Sequence, residues 1–301
     1  MFNQHRSLQF KRYNEAKADL VNNPELLIAM EHFFAEYIRH FISVQWPFIS
    51  KDYDEASFLY PFWQNYPPEE RGRQPKGDQF PWIEVGEHSV GAKLPRLLTA
   101  DFIVRDTGIP TGADQRFVLT SEKISEVTKG FTHSAWLSVD IKSAGPRDDA
   151  DHAVMSHNQV SGDGNWVKME EGVKNTVLKA QGTLASHDFH CGVPPLYVLS
   201  DMTVAPVMNI VLKPVYNMLS LVAGSKDNGQ PLSRVTIACI PNGILLVINP
   251  GYLNKFPGLL FPGKDDKSKN PLKVRARVSF ALLRKIAAWR VCDVTEASSS
   301  K

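Results

Sequence analysis

The run Trp136-Leu137-Ser138-Val139-Asp140-Ile141-Lys142-Ser143 constrains the fold more than any other stretch of the chain. Its apolar and polar residues alternate, and a period of two is that of a β-strand. Leu137, Val139 and Ile141 share one face, which needs a core behind it, while Ser138, Asp140 and Lys142 share the other. A chain holding this run has to build a sheet with a covered back. The other face of that sheet then carries a carboxylate beside an ammonium on a rigid element, as a site requires.

Helical and extended patterns surround this strand without any internal repeat. Pro24 follows Asn22-Asn23 and starts a helix in which Leu27, Met30, Phe34, Ile38 and Phe41 form an apolar stripe, ending before Pro47. Residues 60–81 are dense in aromatic residues and proline, which exclude a long helix and predict an ordered loop. Within that loop Arg71, Arg73 and Lys76 fit phosphate contacts as well as solvated surface. A helix is expected over Trp82–Leu98, with Glu84 and Glu87 on one face. Strand-like pieces follow at 101–105, 117–120, 135–143, 196–199, 207–213, 235–240, 244–248 and 274–280. Asp227-Asn228-Gly229 marks a turn, and Asn242-Gly243 between apolar runs reads as a hairpin turn. A last helix fits 281–289. This order predicts an α/β fold over residues 1–301, one domain with a central mixed β-sheet flanked by helices.

Composition excludes several classes. Hydrophobic residues are 43% and charged residues 22% of 301, as in soluble globular proteins and unlike collagenous or disordered chains. No apolar run approaches the ~20 residues that span a bilayer. Residues 1–11 are polar and basic with no apolar core after them, so no secretory leader is expected. Cys191, Cys239 and Cys292 lie far apart, which excludes a disulfide scaffold and a cysteine zinc site and suits a reducing cytoplasm. The net charge of +2 hides an asymmetry: residues 255–290 hold ten Lys/Arg against Asp265 and Asp266, a local +8. The rest of the chain, with 24 basic and 30 acidic residues, is at −6. Such a window suits either an anionic partner or a solvated Lys-rich loop.

Asp114 lies 26 residues before Asp140, at the end of a Gly-x-Pro-x-Gly-x-Asp stretch. If the strand at 117–120 pairs with that at 135–143, the two carboxylates converge. Two carboxylates, water and a phosphate oxygen are how Mg²⁺ is usually held, and a neighbouring lysine can orient the attacking water. Spacing alone leaves an i, i+2 surface pair as an equal reading, since Glu15-Ala16-Lys17 and Asp265-Asp266-Lys267 match the same acid-x-Lys pattern. His187-Asp188-Phe189-His190-Cys191 fits no zinc spacing and reads as a chance grouping in a loop. No Gly-x-Ser-x-Gly elbow and no phosphate-binding Gly-Lys-Ser/Thr loop occurs, so no nucleotide cofactor is expected.

The stretches FLYPFWQNYPP, KGDQFPWIEVGE, GIPTGADQRFVLTS, VDIKSAGPRD, PPLYVLSD, IPNG, NPGY and FPGKDDKSK…RARV are long and order-preserving. On them the chain resembles BglI-type type II restriction endonucleases, within the Asp…Asp/Glu-x-Lys nuclease superfamily, over nearly its whole length. The resemblance implies a restriction-endonuclease-like fold and Mg²⁺-dependent cutting of double-stranded DNA. It places Asp114 and Asp140 as the metal-holding acids and Lys142 as the catalytic lysine. Ala113 stands where the superfamily usually has proline, a residue that stiffens the approach to the first acid but ligates nothing. The superfamily often adds a glutamate from an upstream helix; Glu84 and Glu87 both fit, and Glu87 is preferred. The resemblance further implies a homodimer reading an interrupted palindrome with GCC half-sites. Asp148, Lys264, Asp266, Arg275 and Arg277 then match base-reading positions. Their residue types suit the task, because guanine offers acceptors to Arg or Lys and cytosine a donor to Asp. A junction-resolving or repair nuclease, or a non-catalytic DNA-binding protein, are the alternatives.

Overall fold

A computed structural model of the protein describes residues 2–64, 82–109, 112–145, 148–168, 172–217, 230–248, 250–263, 266 and 268–299. Helices α1 (Phe2–Asn22), α2 (Pro24–Gln64) and α3 (Trp82–Leu98) come first. Next are β1 (Ile103–Asp106), β2 (Gln115–Thr120), α4 (Glu122–Val127), β3 (Ser134–Ile141) and β4 (His152–Met155). Two small hairpins follow, β5 (Asn165–Lys168) with β6 (Gly172–Lys174) and β7 (Leu178–Gln181) with β8 (Ser186–Phe189). The remainder is β9 (Leu196–Val198), β10 (Val204–Tyr216), β11 (Leu232–Ile240), α5 (Gly243–Val247), α6 (Tyr252–Lys255), β12 (Leu260–Phe261), β13 (Ala276–Ser279), α7 (Phe280–Ile286), β14 (Val291–Val294) and α8 (Glu296–Ser299).

The central sheet is mixed, as expected, with strand order β1-β2-β3-β10-β11-β14 and β9 paired to β10. Only β3 and β10 run parallel among these pairs. Leu137, Val139 and Ile141 join a core with the stripe of α2 and with Val90 and Leu94 of α3. A smaller sheet, β12-β13-β4, closes a second core under β10 and β11 through Val211, Ala238, Met155 and Val278. No helix among the described residues is long and apolar enough to cross a membrane.

Four expectations need correction. Helix α2 does not stop before Pro47 but runs to Gln64. The apolar stripe continues through Ile42, Trp46, Ile49 and Tyr53, all buried. Tertiary packing of that face outweighs the ~3 kcal/mol that an interior proline costs. Asn242-Gly243 is no hairpin turn: the Asn242 side chain caps α5, accepting from Ile244 N at 3.0 Å, while its Nδ2 donates to Pro195 O and Val207 O. The apolar run 244–248 is therefore largely a buried short helix, a type that periodicity cannot distinguish from a buried strand. Of residues 187–191, read as loop, 187–189 belong to β8, which pairs with β7. Residues 65–81, with Arg71, Arg73 and Lys76, and the 227–229 turn lie outside the described residues.

Candidate active site and basic face

Strands β2 and β3 pair antiparallel with Gln115 opposite Val139, which brings the residue before β2 alongside Asp140. Asp114 Oδ2 accepts a hydrogen bond from Ile141 N at 2.6 Å, so the first carboxylate is tied to the strand that carries the second. Lys142 donates its backbone N–H to Leu212 O of β10 at 2.8 Å, and its Nζ sits 2.9 Å from Asp140 Oδ2. Asp140 and Lys142 thus share a face. That face is not open, however: Ser138 and Asp140 are only 7% and 2% exposed. The covering chain includes Gln159 and Ser161, which approach β3 and β10 from the side opposite α2 and α3.

Helix α3 closes on the end of β3 because residue 86 is glycine. A Cβ there would lie 2.6 Å from Ser143 Oγ and 3.1 Å from Tyr53 Oη. The next residue, Glu87, is exposed and adds negative potential at Asp140. Glu84 lies on the same helix.

Asp140 carries the electrostatic cost of this arrangement. Its pKa is raised from the ordinary 3.8 to about 7, first by burial, and further by the charges of Asp114 and Glu87; Lys142 opposes the shift. Oδ1 accepts from Gln159 Nε2 at 2.7 Å, and the buried Oδ2 has the Lys142 ammonium beside it at 2.9 Å. A buried carboxylate with two further carboxylates acting on it, countered by a single ammonium, fits a hard divalent cation. Among the described residues no three His, Cys, Asp or Glu side chains form a closed ligand cage. Mg²⁺ does not need one, since it keeps several waters and takes one or two carboxylates.

The raised pKa has a stability consequence. The folded state holds a proton on Asp140 that the unfolded chain releases near pH 3.8, so metal-free protein loses stability as pH rises from about 4 to about 7. Asp140→Asn removes that loss. In EDTA at pH 8 it should melt several degrees above the unmodified protein, a gain on the order of 2 kcal/mol. The gap should vanish at pH 4. Equal melting midpoints at both pH values would contradict this origin of the shift.

Gln159 escaped the sequence reading. Its amide also donates to Gly112 O at 2.9 Å and accepts from Ser156 N at 2.7 Å, so one side chain joins Asp140 to the loop that leads to Asp114. A glutamine in a polar turn carries no periodic or motif signal that would have marked it.

The basic face builds on β13. Ala276 is buried, while Arg275 and Arg277 flank it and are at least partly exposed. Asp266, expected at the same face as a reader, is withdrawn from it: its side chain is 0% exposed. Its Oδ2 accepts from Arg277 Nε at 2.9 Å and from Gly263 N at 2.7 Å, and its Oδ1 lies 3.6 Å from Arg275 Nη2. The physical reason is pairing, because a buried carboxylate needs cations and N–H donors around it. Asp148 is exposed and its Oδ2 accepts from Gly145 N at 2.8 Å, closing a turn just past Lys142. Lys264 lies outside the described residues. His187 and Cys191 form no metal cluster; His187 Nε2 is 2.9 Å from Arg275 O, and burial pushes the Cys191 thiol up to about 12.

The chain matches the family model of restriction endonuclease BglI over residues 8–294. It is 47% identical to the type II restriction enzyme BglI of Bacillus subtilis over 290 residues, 95% of this chain and 96% of that one. The crystal structure of the restriction endonuclease BglI bound to its DNA recognition sequence superimposes with a TM-score of 0.88 at 46% identity, covering 98% of this chain and 99% of the other. Tetrameric restriction endonuclease SfiI bound to cognate DNA shares the fold, with a TM-score of 0.57 at 16% identity over 89% of this chain and 84% of that chain.

Proposed function

The chain belongs to the family of the type II restriction endonuclease BglI, and on that premise we propose that it cuts double-stranded DNA at its own recognition site by Mg²⁺-dependent hydrolysis. The observation that carries this reading is the meeting of Asp114 and Asp140 through the β2–β3 register, with Lys142 on the Asp140 face. Asp114 and Asp140 would hold the cation and Glu87 would add charge from α3. When bound, Mg²⁺ supplies Lewis-acid stabilisation of the charge that builds on the phosphoryl group. Lys142 donates to the attacking water and orients it in line with the scissile P–O bond. The new bond joins water oxygen to phosphorus and the P–O3′ bond breaks; the attacking water loses a proton to solvent and the departing O3′ takes one from solvent, leaving a 5′-phosphate and a 3′-hydroxyl.

Arg275 and Arg277 are proposed as base contacts to guanine, and Asp148 and Lys264 as further base-reading residues. Asp266 acts through the two arginines that it orders. The GCC half-sites, the interrupted palindrome and the homodimer, with one strand cut by each subunit, are inferred from the family. Residues 1–301 serve as one endonuclease domain, and the enzyme acts in the cytoplasm, where its DNA substrate is reached.

The test is a duplex incubated with Mg²⁺ or with EDTA, followed by end-group analysis. Ends bearing 5′-phosphate and 3′-hydroxyl should form with Mg²⁺ alone. Cutting in EDTA, or ends of the opposite polarity, would overturn the mechanism. Arg275→Ala and Arg277→Ala should each weaken cognate binding by ~1–3 kcal/mol while affecting random duplex less. Equal losses on both duplexes would make these arginines phosphate contacts instead.

A further inference from the structure

Resting on the reading of Arg277 as a base contact, we propose that His152 is a specificity-positioning residue, which together with Asp266 holds the Arg277 guanidinium in its reading orientation. The chemistry leaves this histidine one way to bind. A guanidinium donates only, so His152 Nε2, 3.0 Å from Arg277 Nη1, has to accept. The ring proton therefore sits on Nδ1, 3.1 Å from Asp149 Oδ2, and the imidazole is neutral. The surroundings agree. The ring is buried edge-on against Phe261, and Lys213 Nζ fixes the local backbone by donating to Asp149 O and His152 O, each at 2.6 Å. Burial and the charges of Lys213 and Arg277 hold the imidazole pKa below its ordinary value, against the pull of Asp149.

Arg277 is gripped from its other edge by Asp266, whose Oδ2 accepts from Nε at 2.9 Å. The guanidinium lies against Gly263 so closely that a Cβ there would collide with it. With Nε and one N–H of Nη1 engaged, the donors without a partner among the described residues are Nη2 and the second N–H of Nη1. That terminal fork is what spans O6 and N7 of a guanine. The chain Asp266–Arg277–His152–Asp149 also joins β13 to the segment after the catalytic strand, where Asp148 precedes Asp149.

The experiment compares His152→Ala, His152→Gln, Arg277→Ala and the double variant His152→Ala/Arg277→Ala. Glutamine keeps an acceptor oxygen at similar reach. Binding is measured on a duplex with the enzyme's own site, on its single-base-pair variants and on random duplex. His152→Ala should lower the cognate-to-random affinity ratio by roughly tenfold. Random binding should stay near its original value, glutamine should recover most of the ratio, and the double variant should bind no worse than Arg277→Ala. Equal loss on cognate and random duplex, or a loss that adds in full to that of Arg277→Ala, would overturn the role of His152 while leaving Arg277 a reader. If Arg277→Ala left the ratio unchanged, the reading of Arg277 would fail and the inference with it.

Discussion

Lys142→Ala should cut DNA at least about a thousandfold more slowly while binding its recognition site within a few-fold of the original affinity. The two effects separate because the lysine has two attachments. Its backbone N–H holds Leu212 O in the β3–β10 register and survives the substitution, so strand, loop and basic face stay in place. Its Nζ, on a side chain 33% exposed, faces Asp140 Oδ2 and the space where water would attack. Alanine removes that donor and leaves a buried carboxylate without its cation. Cleavage is followed with Mg²⁺, and binding with Ca²⁺, a larger ion with looser geometry. Loss of binding together with cleavage would argue that Lys142 shapes the fold and does not act in the reaction.

Glu31→Ala or Arg290→Ala should each destabilise the protein by ~3–5 kcal/mol. Glu31 of α2 and Arg290 just before β14 pair with Nη2 and Oε2 at 2.6 Å, both side chains being fully buried. Glu31 Oε1 also accepts from Asn242 N at 2.6 Å, and the guanidinium stacks 4.5 Å from the Trp289 ring centre. Deleting either partner strands the other charge in the core, and deleting Glu31 also frees the cap residue of α5. Replacing both, as in Glu31→Leu/Arg290→Met, removes both charges and should lie closer to the original stability than either single change. Denaturant titration of the three variants decides the matter. Additive losses in the double variant would mean the pair is not coupled.

How much of this was legible in the sequence depended on how local the signal was. Helix α3 matched its expected bounds, and the alternation in 136–143 gave both the strand and the shared face of Asp140 and Lys142. Pairing of β2 with β3 was the condition for Asp114 to approach Asp140, and the register meets it. What the sequence concealed came from tertiary contact. Pro47 looked like a helix end because local propensity opposes it, yet the buried stripe of α2 continues past it. The burial of the polar face of β3 was hidden because nothing in its own residues announces Gln159, which reaches Asp140 from a later turn. The burial of Asp266 among cations was hidden for the same reason, since an Asp-Asp-Lys turn reads as exposed. Gln159 and His152 act through single hydrogen bonds to residues far along the chain, and no spacing rule reaches them.

The central claim is that this fold hydrolyses DNA at one sequence with a divalent cation. It is tested most directly by incubating the purified protein with a sequenced phage genome, with Mg²⁺ and with EDTA, and mapping every end. Discrete fragments should form only with Mg²⁺, each ending within an interrupted palindrome flanked by GCC. Discrete fragments at another sequence would keep the nuclease and discard the inferred half-site. A smear of random ends, or tight duplex binding with no cutting in Mg²⁺, would contradict the claim.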